Sequence, residues 1–84
     1  MKKYFVYIIY SVKYDLYYIG STSNLEDRLR RHNSDRSIFT RGKGPWEIII
    51  SKEFPSKSDA YRCELKLKSL KNSKFAIDYL RNLV

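Results

Sequence analysis

Residues able to do chemistry stand at helical spacings on otherwise apolar stripes. Arg28 and His32 are four residues apart, one turn, in a segment whose inward side is set by Leu25 and Leu29. At about 100° per residue, His32 falls ~20° from Leu25 and Arg28 ~60° from it. Arg30 and Arg31 point elsewhere, as ordinary solvated charge. Glu64 repeats the pattern in a later segment, ~80° from the mean direction of Ala60, Cys63, Leu67 and Leu70. A partly buried carboxylate is costly unless it meets a cation, a donor or a metal. Tyrosine is the third oddity: there are 8 in 84 residues, and Tyr4, Tyr7, Tyr10, Tyr17 and Tyr18 crowd into the first two apolar segments. A cluster of phenols would suit a phosphate or an attacking water. Each group also has a plainer reading. Arg28 can snorkel past the core, and His32 can serve as a helix C-terminal cation. Glu64 can pair with Lys68 or Arg28, and the tyrosines can simply suit a pleated surface.

Three strands and three helices must hold these residues. Lys2 to Tyr10 is apolar at nearly every position and predicts a strand covered on both faces. Leu16 to Gly20 predicts a second strand, joined to the first by a short hairpin over Ser11 to Asp15. Trp46 to Ser51, with three consecutive isoleucines, predicts a third after the loop marked by Gly42, Gly44 and Pro45. The first helix opens with a capping box of Ser23 and Glu26 and runs to about His32. The second follows Pro55, with Ser56 or Ser58 as cap. The third spans Ser73 to Leu83, with Ala76, Tyr79, Leu80 and Leu83 on one side. The expected architecture is α+β: a small three-stranded antiparallel sheet flanked by three helices, in the order β-β-α-β-α-α, with residues 1–84 as one domain.

Composition limits the partners. Lys and Arg number 17 against 9 Asp and Glu, a formal net charge of +8, so polyanions are attracted and nucleic acid is the first candidate. Apolar residues make up 43%, too many for a disordered chain. Three glycines and two prolines exclude a collagen-like or linker-like chain. Cys63 is the single cysteine, which excludes an internal disulfide and a cysteine-based zinc cluster and points to a reducing, cytoplasmic setting. No apolar run reaches the ~18–20 residues of a membrane span, so no membrane role is expected.

Phe5-Val6-Tyr7, ten residues, then Tyr18-Ile19-Gly20 resembles the signature of the GIY-YIG nuclease family. Ser23 to Asn33 is similar to that family's helix, which bears an arginine and, four residues on, a histidine or tyrosine. Pro45-Trp46, Glu53 to Ala60 and Glu64 resemble its later half, and the short standalone bacterial members match best. The resemblance implies metal-dependent hydrolysis of DNA phosphodiester bonds, in repair or recombination, with one Mg²⁺ or Mn²⁺ ion. It implies that Tyr7 helps activate the attacking water and that Tyr18 holds that water or the phosphate. Arg28 would bind the scissile phosphate, His32 would sit beside the nucleophile, and Glu64 would bind the metal. RNA shares the phosphate chemistry, and a protein partner would supply specificity that so short a chain lacks.

Elementary chemistry is consistent with those roles. A guanidinium offers planar, permanent charge to phosphoryl oxygens. A hard cation that keeps several waters can be held by one carboxylate when phosphate oxygens complete its shell. A phenol titrating near 10 is a poor base at neutral pH unless its surroundings help. The family pattern is not complete. Phe5 and Val6 replace the Gly and Ile of the first triplet, and Ser21 stands where some relatives carry a lysine. Asn72 and Asn82 are the candidates for an asparagine found beyond the metal-binding glutamate. The same scaffold without turnover would be a nucleic-acid-binding module, and with its charge merely solvated, a structural protein. Binding to a DNA oligonucleotide, followed by fluorescence anisotropy, should weaken steeply between about 50 and 200 mM salt; affinity indifferent to salt would contradict both nucleic-acid readings.

Overall fold

Tyr4–Ser11 form the central strand, β1, and it is buried on both faces: Val6, Tyr7, Ile8 and Ile9 are almost wholly covered. The computed structural model describes residues 3–34 and 39–83, so the predicted start at Lys2 lies outside the described residues. Leu16–Thr22 (β2) and Glu47–Phe54 (β3) flank β1 antiparallel, giving the order β2-β1-β3. Leu25–Asn33 form α1, Lys57–Ser69 form α2 and Ser73–Asn82 form α3. The chain order is β-β-α-β-α-α, the α+β arrangement expected from the sequence. Among the described residues no helix is long and apolar enough to cross a membrane.

The two faces of the sheet carry separate cores. Val6 and Ile8 pack with Ala60, Cys63 and Leu67 of α2 and with Ala76 and Leu80 of α3. Tyr7, Ile9 and Trp46 pack with Tyr18 of β2 and with Leu25 and Leu29 of α1. Alternation along β1 therefore sends Tyr7 toward α1 and its neighbours toward α2 and α3. The isoleucine run on β3 serves both faces through a register shift between Ile8 and Ile9. Ile48 packs with the α1-side cluster and Ile50 with the other, while Ile49 between them is exposed. In an unbroken ladder residues two apart share a face; the shift lifts that restriction.

Several local expectations are corrected. The α1 cap is Asn24, whose side chain accepts from the Asp27 N–H at 3.0 Å, and not Ser23 with Glu26. β2 runs on through Thr22 and moves the helix start along by one residue. β3 begins at Glu47 and reaches Phe54, three residues beyond the predicted end. Of the two serines offered for α2, Ser56 caps it. Tyr79 does not join the α3 core face: it is exposed beneath the Lys66 ammonium, and Ile77 packs against the core instead.

One close approach decides how β1 and β2 meet. Gly20 faces Tyr7 in the register, and a Cβ on Gly20 would lie 2.5 Å from the Tyr7 hydroxyl and 2.7 Å from Cζ. Only a residue without a side chain lets this ring lie flat across the neighbouring strand. Gly20→Ala should lower unfolding free energy in urea by about 1–3 kcal/mol, because the displaced ring is rigid and buried; an unchanged urea midpoint would show that Tyr7 yields freely.

Candidate active site

The site begins at the phenol of Tyr7, which is 1% exposed and faces α1. Its hydroxyl lies 2.9 Å from Nε2 of His32, a side chain itself 1% exposed and the one buried residue of α1. Nδ1 of His32 lies 2.8 Å from Oγ1 of Thr40, which is wholly buried. The Thr40 carbonyl in turn accepts from Nε1 of Trp46 at 3.2 Å. Asn33, next to His32, ties the end of α1 to the start of β3: its amide donates to the Trp46 carbonyl at 3.0 Å and accepts from the Trp46 N–H at 2.5 Å. Tyr7, His32, Thr40 and Trp46 thus form one buried polar chain across the α1 side of the sheet, and no buried side-chain polar atom among the described residues lacks a partner.

Burial sets the protonation states. It pushes the Tyr7 phenol well above its ordinary value, against a lowering by the neighbouring Arg28 guanidinium; the charges of Tyr18 and Glu64 push further upward. It pushes the His32 imidazole below its usual value, and Arg28 acts in the same direction. His32 is therefore neutral near pH 7, with one nitrogen donating and the other accepting. The expectation of a helix C-terminal cation is corrected: a ring enclosed beneath β1 loses the hydration that would stabilise its charge.

Tyr18, on β2, is more open than Tyr7 and stands 5.0 Å ring to ring from His32. Arg28 is half-buried on α1 beside Tyr7 and forms no ion pair with an acid among the described residues, whereas Arg30 and Arg31 both reach Asp27. Glu64 comes from α2, across the β2 edge, with only 15% of its side chain exposed. Oε1 accepts from the Ser21 hydroxyl at 2.6 Å and Oε2 from the Lys68 ammonium at 2.7 Å. The pairing with Lys68 that spacing allowed is present; a pairing with Arg28 is not. A cleft of about 280 Å³ opens between Arg28 and Lys57, floored by Ser21, Thr22 and Ser23.

The fold thus brings Tyr7, Tyr18, Arg28 and Glu64 into one electrostatic neighbourhood at the β2 edge, with His32 behind Tyr7. Nε2 of His32 is taken up by the Tyr7 hydroxyl, and both side chains are about 1% exposed. Three participants were not singled out from spacing. Thr40 sits in a loop with no periodicity to flag it. Lys68 was visible only as an i+4 partner. Ser21 drew notice only as the residue replacing a lysine, whereas the structure shows it holding the Glu64 carboxylate. Asn72 and Asn82 are committed elsewhere: Asn72 caps α3 by accepting from the Phe75 N–H, and Asn82 donates to the Asp78 carbonyl within its own helix. Tyr10 also leaves the candidate set, stacking on Tyr17 and donating to Asp15 in the hairpin.

A three-stranded sheet with two tyrosines near an Arg/His helix and a carboxylate from α2 is the arrangement that the family resemblance led one to expect. Residues 3–76 match the profile of the GIY-YIG catalytic domain, and the chain belongs to that family. It is 39% identical over 70 residues to the UPF0213 protein OB0043 of Oceanobacillus iheyensis, covering 82% of this chain and 80% of that protein. It is 35% identical over 71 residues to the UPF0213 protein BH0048 of Halalkalibacterium halodurans, covering 83% and 74%. The solution NMR structure of the UPF0213 protein BH0048 from Bacillus halodurans superposes with a TM-score of 0.53 at 33% identity, covering 86% of this chain and 77% of that one.

A histidine whose folded value is depressed stabilises the fold fully above its unfolded value near 6.5, and that contribution is lost as pH falls below it. Between the two values the slope is at most about 1.4 kcal/mol per pH unit. Urea unfolding from pH 7.5 to 4.5 should show this loss in the native protein and a shallower one in His32→Gln; matching profiles would mean that His32 titrates normally.

Proposed function

We infer that the chain is a divalent-metal-dependent endonuclease that hydrolyses DNA phosphodiester bonds. Tyr18, Arg28 and Glu64, from three other elements, all lie within electrostatic reach of the Tyr7 phenol, and this neighbourhood carries the reading. The donor set suits a hard cation: Glu64 supplies carboxylate oxygens from a tethered position, and among the described residues no group of three or more acids, histidines or cysteines offers a closed cage. Such a site leaves most of the shell to waters and phosphate oxygens, as Mg²⁺ or Mn²⁺ prefers. Glu64 would hold that ion, whose chemistry is to neutralise phosphate charge and to acidify water.

The protein's own groups account for the rest. Among the described residues no carboxylate pairs with Arg28, and it gives its guanidinium to the phosphoryl oxygens as negative charge grows on them. Tyr18, the more open phenol, holds the attacking water or the phosphate. Tyr7 is too buried and too weakly acidic to exist as phenolate, so it takes a proton only while giving one away. Water adds to phosphorus, its proton passes to the Tyr7 oxygen, and the Tyr7 proton passes to Nε2 of neutral His32; a solvent proton completes the departing alkoxide, and His32 returns its proton to solvent through Tyr7 before the next turnover. This needs the tautomer with Nδ1–H donating to Thr40, which the 2.8 Å contact permits.

A second reading has its own observation. Both Glu64 oxygens already have donors, and Tyr7 is almost wholly covered, as in a nucleic-acid-binding module without turnover. A nicking assay over single-stranded, duplex and branched DNA, with Mg²⁺ or Mn²⁺, separates the two. Cleavage should fall by about 100-fold or more in Glu64→Gln and Arg28→Ala proteins that keep their circular-dichroism spectra. Salt-sensitive binding with no cleavage of any substrate would favour the second reading.

A further inference from the structure

Glu64 and Lys68 form an ordinary i, i+4 pair by spacing, but not by setting. Lys68 is half exposed, while only 15% of the Glu64 side chain reaches solvent. The two carboxylate oxygens are held unequally. Ser21, fixed on β2, anchors Oε1, while Oε2 meets the tip of a long, mobile side chain. The first contact orients the carboxylate; the second can be exchanged without moving backbone.

The same lysine borders a second feature. A cleft of about 300 Å³ opens beside it. Tyr17 and Tyr18 line it from β2, Lys68 from α2, Lys71 from the turn after α2 and Ser73 from the start of α3. Tyr17 packs against Tyr10 and is still 41% exposed, which leaves part of its ring to a base. The two ammonium groups, on a chain of net charge +8, suit a backbone of phosphates.

We propose that Lys68 is the exchangeable counter-ion of Glu64: a divalent ion takes Oε2 from it, and the freed ammonium turns to a phosphate of a DNA strand lying in the Tyr17–Lys71 cleft. Metal and strand then bind cooperatively. Without the strand, Lys68 opposes the metal at its ligand; with it, Lys68 has a better anion to neutralise. Coupling of this kind is reciprocal, so either ligand must strengthen the other by the same factor.

This rests on Glu64 being the metal ligand, and the test keeps the two ideas apart. Mn²⁺ binding is followed by the electron paramagnetic resonance of the free ion, with and without a nuclease-resistant phosphorothioate oligonucleotide; oligonucleotide affinity is followed by anisotropy. Lys68→Met should bind Mn²⁺ about 5-fold more tightly than the native protein when no oligonucleotide is present. The factor by which oligonucleotide strengthens Mn²⁺ binding should be about 5-fold smaller in Lys68→Met than in the native protein. Lys68→Arg, which keeps the charge, should behave as the native protein does. If Lys68→Met fails to fold, Lys68→Gln serves in its place with the same expectations. Mn²⁺ binding at equal affinity and with equal coupling in native and variant proteins overturns the exchange and leaves Glu64 as ligand. Failure of every protein to bind Mn²⁺, even with oligonucleotide, overturns both.

Discussion

The hydrogen bond between the Tyr7 hydroxyl and Nε2 of His32 constrains more of this molecule than any other contact. A phenol on a central strand covered on both faces has no water to bond, and an unpartnered hydroxyl there costs about 1–3 kcal/mol. Helix α1 must therefore lie where His32 can reach under it. Gly20 must lack a side chain so that the ring can cross β2. Thr40 must come in from the loop to occupy the other imidazole nitrogen. Asn33 then holds that loop's far end by bonding both backbone groups of Trp46. Strand, helix and loop are thus joined through one polar chain, and a chain of this kind is stable only if each member is satisfied.

The charges at the β2 edge follow a different logic. Most ionic contacts here are exposed pairs within single helices, such as Arg31 with Asp27 or Arg62 with Asp59, and contribute little to stability. Arg28 and Glu64 are the exceptions. Among the described residues Arg28 sits beside a buried phenol with no ion pair to an acid, and Glu64 is held in a mostly covered position by a serine on another element and by Lys68. A half-buried guanidinium without such a pair is costly to stability, whereas the Glu64 carboxylate has a donor on each oxygen.

Much of this was legible from residue order. The apolar continuity of Val6 to Ile9 marked a strand enclosed on both faces, because a partly solvated strand would alternate. The ~20° offset of His32 from Leu25 pointed it inward, and the offset of Glu64 put it at a border where a carboxylate needs company. Less legible were the features set by the register of one element against another. The Asn24 cap depended on how far β2 ran, and the exposure of Tyr79 depended on α3 presenting it to Lys66 of α2 instead of to the core. The loop bearing Thr40 has no period to read.

The order and kind of its elements, the inward side of each helix and the identity of the chemical groups belong to the sequence alone, since spacing, capping and hydrophobic pattern act over a turn or a pleat. Which groups touch belongs to the tertiary structure. Ser21 and Glu64 are 43 positions apart, Tyr7 and His32 are 25 apart, and no local rule relates them. Close packing of two helical layers onto one sheet brought them together. That packing set Nε2 of His32 against the Tyr7 hydroxyl and Nδ1 against Thr40, so both polar rings are buried with their hydrogen bonds made.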